Sequence, residues 1–204
     1  MKIVITGSRE SIEELTQNNA GVDWVEVKNV SDFLSHIDAD AFINLHPDAA
    51  VFAYPETLKC IFINSVITPL SEMKAHNNLV RINGWKGFLK REIWELATEK
   101  DNGVDAVLRA IGKKFLIVKD QPGLISARIL AMIINEAYFA KEEGVSTETE
   151  IDIAMQLGTN YPKGPFSWAE EIGKKNILLL LNKLMVTDKR YTPAPLLQQE
   201  ARSA

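Results

Sequence analysis

The sequence holds three histidines, His36, His46 and His76, and a single cysteine, Cys60. Imidazole is the one side chain whose ordinary pKa puts its charge change near neutrality, so each histidine is a candidate proton carrier. His46-Pro47 follows the apolar run ADAFINL (39–45), which reads as a strand. A residue there sits at the end of a sheet, where open α/β folds bind ligands; the alternative is a plain loop histidine. Cys60 lies inside LKCIFI and reads as a small core residue rather than a nucleophile. One cysteine also excludes an intramolecular disulfide and a cysteine-based metal cluster, so no metal site is expected.

The 204 residues, 46% apolar and 25% charged, suit one large or two small globular domains. The net charge of -4 offers no broad cationic surface, so no nucleic-acid partner is expected. The start MKIVITGSRE has too short an apolar run for a signal peptide, and ILLLL (177–181) is far too short for a membrane span. The expectation is a cytoplasmic protein with no membrane partner.

The elements that must position these residues fall into two kinds. Short β-branched runs at 2–6, 23–27, 39–45, 59–63, 78–82, 88–97 and 114–120 read as strands. Helical segments at 11–17, 31–37 (Ser31 as its cap) and 101–112 alternate with them. That order predicts an α/β unit with a mainly parallel sheet over 1–118. After Pro122-Gly123 only helical periodicity remains, so 119–204 is expected to be all-α. Gly144 should end its first helix. Thr147 and Glu150 have capping-box spacing, and so do Ser167 and Glu170. Gly158 and Gly173 read as further stops. Pro193 and Pro195 suit an extended tail, and the terminal QQEARSA should fray.

The helical part carries recognisable words in order: Asp120-Gln-Pro-Gly-Leu-Ile125 with Arg128; Asn135-Glu-Ala137 and Glu143-Gly-Val145; Glu150-Ile-Asp-Ile-Ala-Met155 with Leu157-Gly158; Tyr161-Pro-Lys-Gly-Pro-Phe166 with Ile172-Gly173; and Arg190-Tyr-Thr-Pro-Ala-Pro-Leu-Leu197. Together they resemble the C-terminal domain of the 3-hydroxyacyl-CoA dehydrogenase family. Each word also has a plain structural use as a turn or helix start. The resemblance implies a truncated Rossmann-like parallel-sheet domain (1–118) followed by that family's helical domain (119–204).

It also implies NAD-dependent oxidation of (S)-3-hydroxyacyl-CoA to 3-oxoacyl-CoA, with a histidine as base and a glutamate orienting it. An acyl-CoA ligand and a homodimer through the helical domain follow from the same resemblance. Carried over residue by residue, the family's Glu resembles Glu95. Twelve positions earlier, where the family has its His, stands Asn83, whose amide is no base near neutral pH. The substrate-oxygen Asn falls at Ala127, and Ser65 resembles a remnant of the family's serine region. Of the glycine-rich cofactor loop only Gly7 remains, in Thr6-Gly-Ser-Arg-Glu-Ser11. Arg9 could pair with a phosphate or be an ordinary loop arginine. Asp23 and Glu26 are the candidates for a ribose. Two readings follow: a dehydrogenase with eroded motifs, or a noncatalytic member that binds acyl-CoA or a partner protein as a dimeric scaffold.

Overall fold

A computed structural model describes residues 1–17, 21–47, 49–73, 78–101 and 103–203. His76 lies outside the described residues. The chain divides into two compact units, Met1–Leu124 and Ile125–Ala204.

The first unit is built on one seven-stranded sheet: β1 (Lys2–Thr6), β2 (Asp23–Glu26), β3 (Ala41–Asn44), β4 (Cys60–Asn64), β5 (Leu79–Ile82), β6 (Ile93–Thr98) and β7 (Lys114–Ile117). The order is β2-β1-β3-β4-β5-β6-β7. All neighbours are parallel except β5 and β6. Every residue of β3, β4 and β5 is buried, which explains why these runs are apolar nearly throughout. Alternate residues feed two cores. Ile3, Ile5, Ile43, Phe62 and Val80 pack with α1 (Arg9–Thr16) and α2 (Val104–Ala110). Val4, Phe42, Ile61 and Ile63 face the other way, where short 3-10 turns such as Val30–His36 supply the cover.

The chain runs from β1 outward to β2, then returns to the other side of β1 for β3. That reversal is a topological switch point, the crevice where doubly wound sheets bind ligands. Beyond β2 the sheet has one strand fewer than the usual dinucleotide-binding order. The shortening that the sequence implied is therefore located at this edge.

Three expectations need correction in this unit. β6 begins at Ile93, not at residue 88; residues 88–91 form a turn, with Arg91 N–H donating to Phe88 O at 3.2 Å. β6 then runs antiparallel to β5. Asn29 rather than Ser31 precedes the 3-10 turn, and its N–H donates to the Asp32 carboxylate at 3.0 Å. α1 begins two residues early because Ser8 caps it.

The second unit contains α3 (Ser126–Glu142), α4 (Glu148–Thr159), α5 (Pro165–Ile172), α6 (Lys174–Met185) and α7 (Pro195–Ser203). Gly144 and Gly173 end helices at φ 73° and 92°, and the Thr147–Glu150 box is formed. Gly158 does not stop α4; Asn160 does, at φ 56°. The Ser167 box is not formed either, because α5 starts at Pro165 with Gly164 as its cap. Gly164 has no side chain to offer. Asp152 of α4 does the capping, taking the N–H groups of Phe166 (2.8 Å) and Ser167 (2.9 Å) and the Ser167 hydroxyl (2.6 Å).

The C-terminal segment is not a frayed tail. Buried Asn135 bonds Thr192 O at 2.9 Å and Ala194 N–H at 2.8 Å, fixing the extended stretch before α7. Glu200 then ties α7 down through Tyr138 (3.0 Å), Lys141 (3.1 Å) and Lys174 (2.9 Å). Burial would raise the Glu200 carboxyl, but hydrogen bonds from Lys174, Lys141 and Tyr138 outweigh it and hold it below the ordinary range.

Candidate functional site

Polar side chains collect at the C-terminal ends of β1, β3, β4 and β5. The β1 end is Thr6-Gly7-Ser8. A Cβ on Gly7 would lie 2.7 Å from Leu45 Cβ, so the glycine lets β1 and β3 end side by side. Thr6 Oγ1 lies 3.2 Å from His46 Nε2 and donates to Lys28 O at 3.3 Å. His46 is thus seated at the switch point, with its ring partly covered and bonded.

A pyrophosphate needs open N–H groups at the start of α1 and no side chain in the way. The residues present do not fit it. Ser8 Oγ occupies the cap and accepts Ser11 N–H at 3.2 Å. Glu10 adds negative charge to the first turn and is paired with Lys86 at 2.7 Å. Arg9 lies on the surface, 92% exposed, and bonds Glu13 one turn on at 2.7 Å. Asp23 starts β2 opposite Lys2, at the far end of the sheet from Gly7. Glu26, opposite Ile5, is at the correct end and exposed.

Three buried asparagines follow one pattern. Asn44 ends β3, Asn64 ends β4 and Asn83 directly follows β5. Each amide oxygen accepts a backbone N–H: His46 at 3.0 Å, Gly84 at 3.0 Å and Trp85 at 3.2 Å respectively. The Asn44 amide nitrogen donates to Tyr54 (2.7 Å) and that of Asn64 to Leu45 O (3.3 Å). The Asn83 amide nitrogen is buried and has no partner. Gly84 is held by contact with this network, since a Cβ there would lie 2.5 Å from Asn64 Cγ.

Ser65, the next residue along, donates its hydroxyl to Thr68 O at 2.7 Å. Its backbone is held by Arg81, a residue that sequence reasoning passed over. Arg81 is fully buried. It donates Nε to Ser65 O (2.5 Å) and Nη2 to Val66 O (3.0 Å) and Gln121 O (2.9 Å). Nη1 pairs with Asp120 at 2.5 Å, and Asp120 also accepts Ser71 N–H at 3.1 Å. Burial lowers the Arg81 pKa, and the Asp120 carboxylate opposes that shift. The available signal was an arginine inside an apolar strand run, LVRI, which demands a buried acid elsewhere.

Glu95 lies in β6, whose register against β5 pairs Arg81 with Ala97 and Ile82 with Leu96; Asn83 directly follows β5. Glu95 is half-buried, and its charge offsets the lowering of the Arg91 pKa that burial produces. The amide of Asn83 cannot take a proton near neutral pH. Ala127 is completely buried in α3 and presents no polar group. Cys60 is buried in β4 and burial pushes its thiol up to about 12, so it is an inert core residue.

The first unit is a doubly wound, mostly parallel sheet and the second holds five helices. Residues 123–203 match the family model of the 3-hydroxyacyl-CoA dehydrogenase C-terminal domain. That match takes in the helical part of the chain and not the sheet unit. It is 46% identical over 96 residues to the 3-hydroxyadipyl-CoA dehydrogenase of Escherichia coli, a stretch covering 46% of this chain and 20% of that protein. It is 37% identical over 112 residues to a probable 3-hydroxybutyryl-CoA dehydrogenase of Bacillus subtilis, covering 53% of this chain and 39% of that protein. The match thus spans well under half the length of either relative. A solved (S)-3-hydroxybutyryl-CoA dehydrogenase from Ralstonia eutropha shares the fold, with TM-score 0.76 and 19% identity over 99% of this chain and 93% of that one.

Proposed function

We propose that this protein is a noncatalytic member of the 3-hydroxyacyl-CoA dehydrogenase family, a cytoplasmic homodimer in fatty-acid metabolism that holds a CoA thioester without carrying out hydride transfer. The observation that carries the reading is the pair Asn83 and Glu95. The carboxylate that would orient a base is kept, and the base is an amide. The α1 start, capped by Ser8 and carrying Glu10, argues against NAD as a resident cofactor. A dehydrogenase that uses NAD is the second reading; the retained Glu95 and the dehydrogenase names of the matched relatives favour it. Calorimetric titration separates the two. Acetoacetyl-CoA is expected to bind while NADH gives no heat of binding. Saturable NADH binding would favour the second reading, and failure of the thioester to bind would remove the first.

The homodimer rests on α4, a twelve-residue helix with no buried residue, although it carries Ile151, Ile153, Met155 and Leu157. A soluble helix with such a face needs a partner. Its neighbour α3 exposes Ile129, and the two helices line an apolar groove of about 680 Å³ with Met132, Ile133 and Tyr191. The expected result is a dimer by sedimentation that Ile129→Lys with Met155→Lys converts to a folded monomer. A monomeric wild-type protein, or a double variant that still dimerises, contradicts it.

A further inference from the structure

The two edge strands of the sheet are finished differently. β2 carries an acid at each end, Asp23 and Glu26, a common way of blunting an edge. β7 reads Lys-Phe-Leu-Ile, with no charge after Lys114, and its Leu116 and Ile117 are 55% and 57% exposed. Lys114 and Val118 donate their N–H groups inward, to Glu92 O at 2.9 Å and Leu96 O at 2.8 Å. Successive residues of a strand alternate in direction, so Phe115 and Ile117 turn their N–H and C=O groups away from β6. Among the described residues nothing bonds to those four groups. A pocket of about 240 Å³ adjoins this edge. Phe115 and Ile117 line it from β7, Val104 from the start of α2, and Thr98, Lys100 and Asp101 from the end of β6 and the turn that follows. An unpaired edge beside a side-chain pocket is the combination that strand addition uses: main-chain bonds give affinity and the pocket gives specificity.

We propose that β7 accepts an extended segment of a partner protein as an added strand, with one apolar side chain in this pocket and an acid facing Lys113. This goes beyond the proposed function and does not depend on it. A second copy of the chain is a poor occupant. Two β7 strands paired about a two-fold axis exchange bonds when Phe115 of one faces Ile117 of the other. That register sets Lys113 opposite Lys119 at both ends, and like charges directly opposite are destabilising. The same lysines favour an acidic partner. Lys113 uses two of its three ammonium donors on the carbonyls of Leu89 at 2.8 Å and Arg91 at 3.1 Å, and the third can serve a carboxylate. An antiparallel partner segment therefore carries an apolar residue opposite Ile117, another opposite Phe115, and an acid two residues further on.

The test uses this 204-residue chain, isotope-labelled, and the capped peptide Leu-Thr-Val-Thr-Glu as probe. The backbone amide resonances of Phe115 and Ile117 are expected to shift saturably as peptide is added. Replacing the leucine by alanine is expected to weaken binding roughly tenfold or more, since it empties the pocket. Replacing the glutamate by lysine is expected to weaken it roughly 2- to 5-fold. N-methylation of the valine removes a ladder N–H and is expected to abolish binding. Ile117→Lys places a charge on the edge at a residue more than half exposed; it is expected to stay folded in thermal melts and to lose the peptide. No saturable shift, shifts confined to other parts of the chain, or binding unchanged by N-methylation or by Ile117→Lys overturns the proposal. Self-association of the peptide-free chain that Ile117→Lys abolishes would make the edge an interface between copies, and overturns it as well.

Discussion

Arg81→Ala is expected to destabilise the sheet unit by about 3–5 kcal/mol, the cost typical of breaking a buried ion pair from one side. Arg81 is completely buried and supplies four hydrogen bonds, to Ser65 O, Val66 O, Gln121 O and the Asp120 carboxylate. Truncation leaves three carbonyls without this donor and a carboxylate whose exposure is only 27%. Partial hydration of Asp120 places the expected loss toward the low end of the range. Because Arg81 holds the backbone on which Ser65 sits, the same variant should weaken thioester binding even where it remains folded. Urea denaturation measures the first effect; a midpoint shift no larger than that of an exposed arginine variant such as Arg109→Ala would show that the pair contributes nothing net. Arg81→Lys should not rescue, since one ammonium cannot reproduce the planar fork that reaches four acceptors.

Gly164→Ala is expected to destabilise the helical unit by about 1–3 kcal/mol or more through overpacking. The backbone there is ordinary, at φ -74°, so strain is not the cause. An added Cβ would lie 2.2 Å from Asp152 Cγ and 2.4 Å from Asp152 Cα. The side chain could swing away only by giving up the three hydrogen bonds that cap α5. The main chain of α4 could move only as a whole. Combining the change with Asp152→Ala should therefore not restore stability, because the contact with Cα remains. Recovery in that double variant would show that the side-chain overlap alone was responsible.

The sheet was legible where strands are buried on both faces, because β1, β3 and β4 are dominated by apolar residues and Arg81 alone interrupts β5. β6 was misplaced at its start, since Phe88 and Leu89 are apolar for a different reason: they pack in a turn, both nearly inaccessible. Gly158 was read as a stop from its type alone, but one glycine inside a helix costs only about 1 kcal/mol relative to alanine, and the helix continues to Thr159 with Asn160 as its cap. The α5 cap was invisible because its acceptor, Asp152, comes from another helix fourteen residues away from Phe166. α7 was missed because its polar surface hides two buried residues, Leu197 and Ala201, and one acid, Glu200, bonded to three neighbours.

At the site, Asn83 and Glu95 were singled out by their spacing, and the antiparallel β5–β6 pair is the element that separates them in the chain. Arg81 and the partnerless amide could not be read, since each depends on which atoms meet across strands. The cofactor loop was read as eroded from its lost glycines, and Ser8 gives the physical reason: its hydroxyl now does for α1 what a bound phosphate does elsewhere.

On the proposed reading the fold persists without hydride transfer. A positioned general base contributes about 10²- to 10⁴-fold in rate, and Asn83 cannot supply it. The direct measurement is NADH consumption by this 204-residue chain in the presence of saturating acetoacetyl-CoA, with thioester binding followed in the same samples. The account predicts a bound thioester and no NADH oxidation above the protein-free rate. Sustained NADH oxidation, with 3-hydroxybutyryl-CoA formed in equal amount, would contradict it.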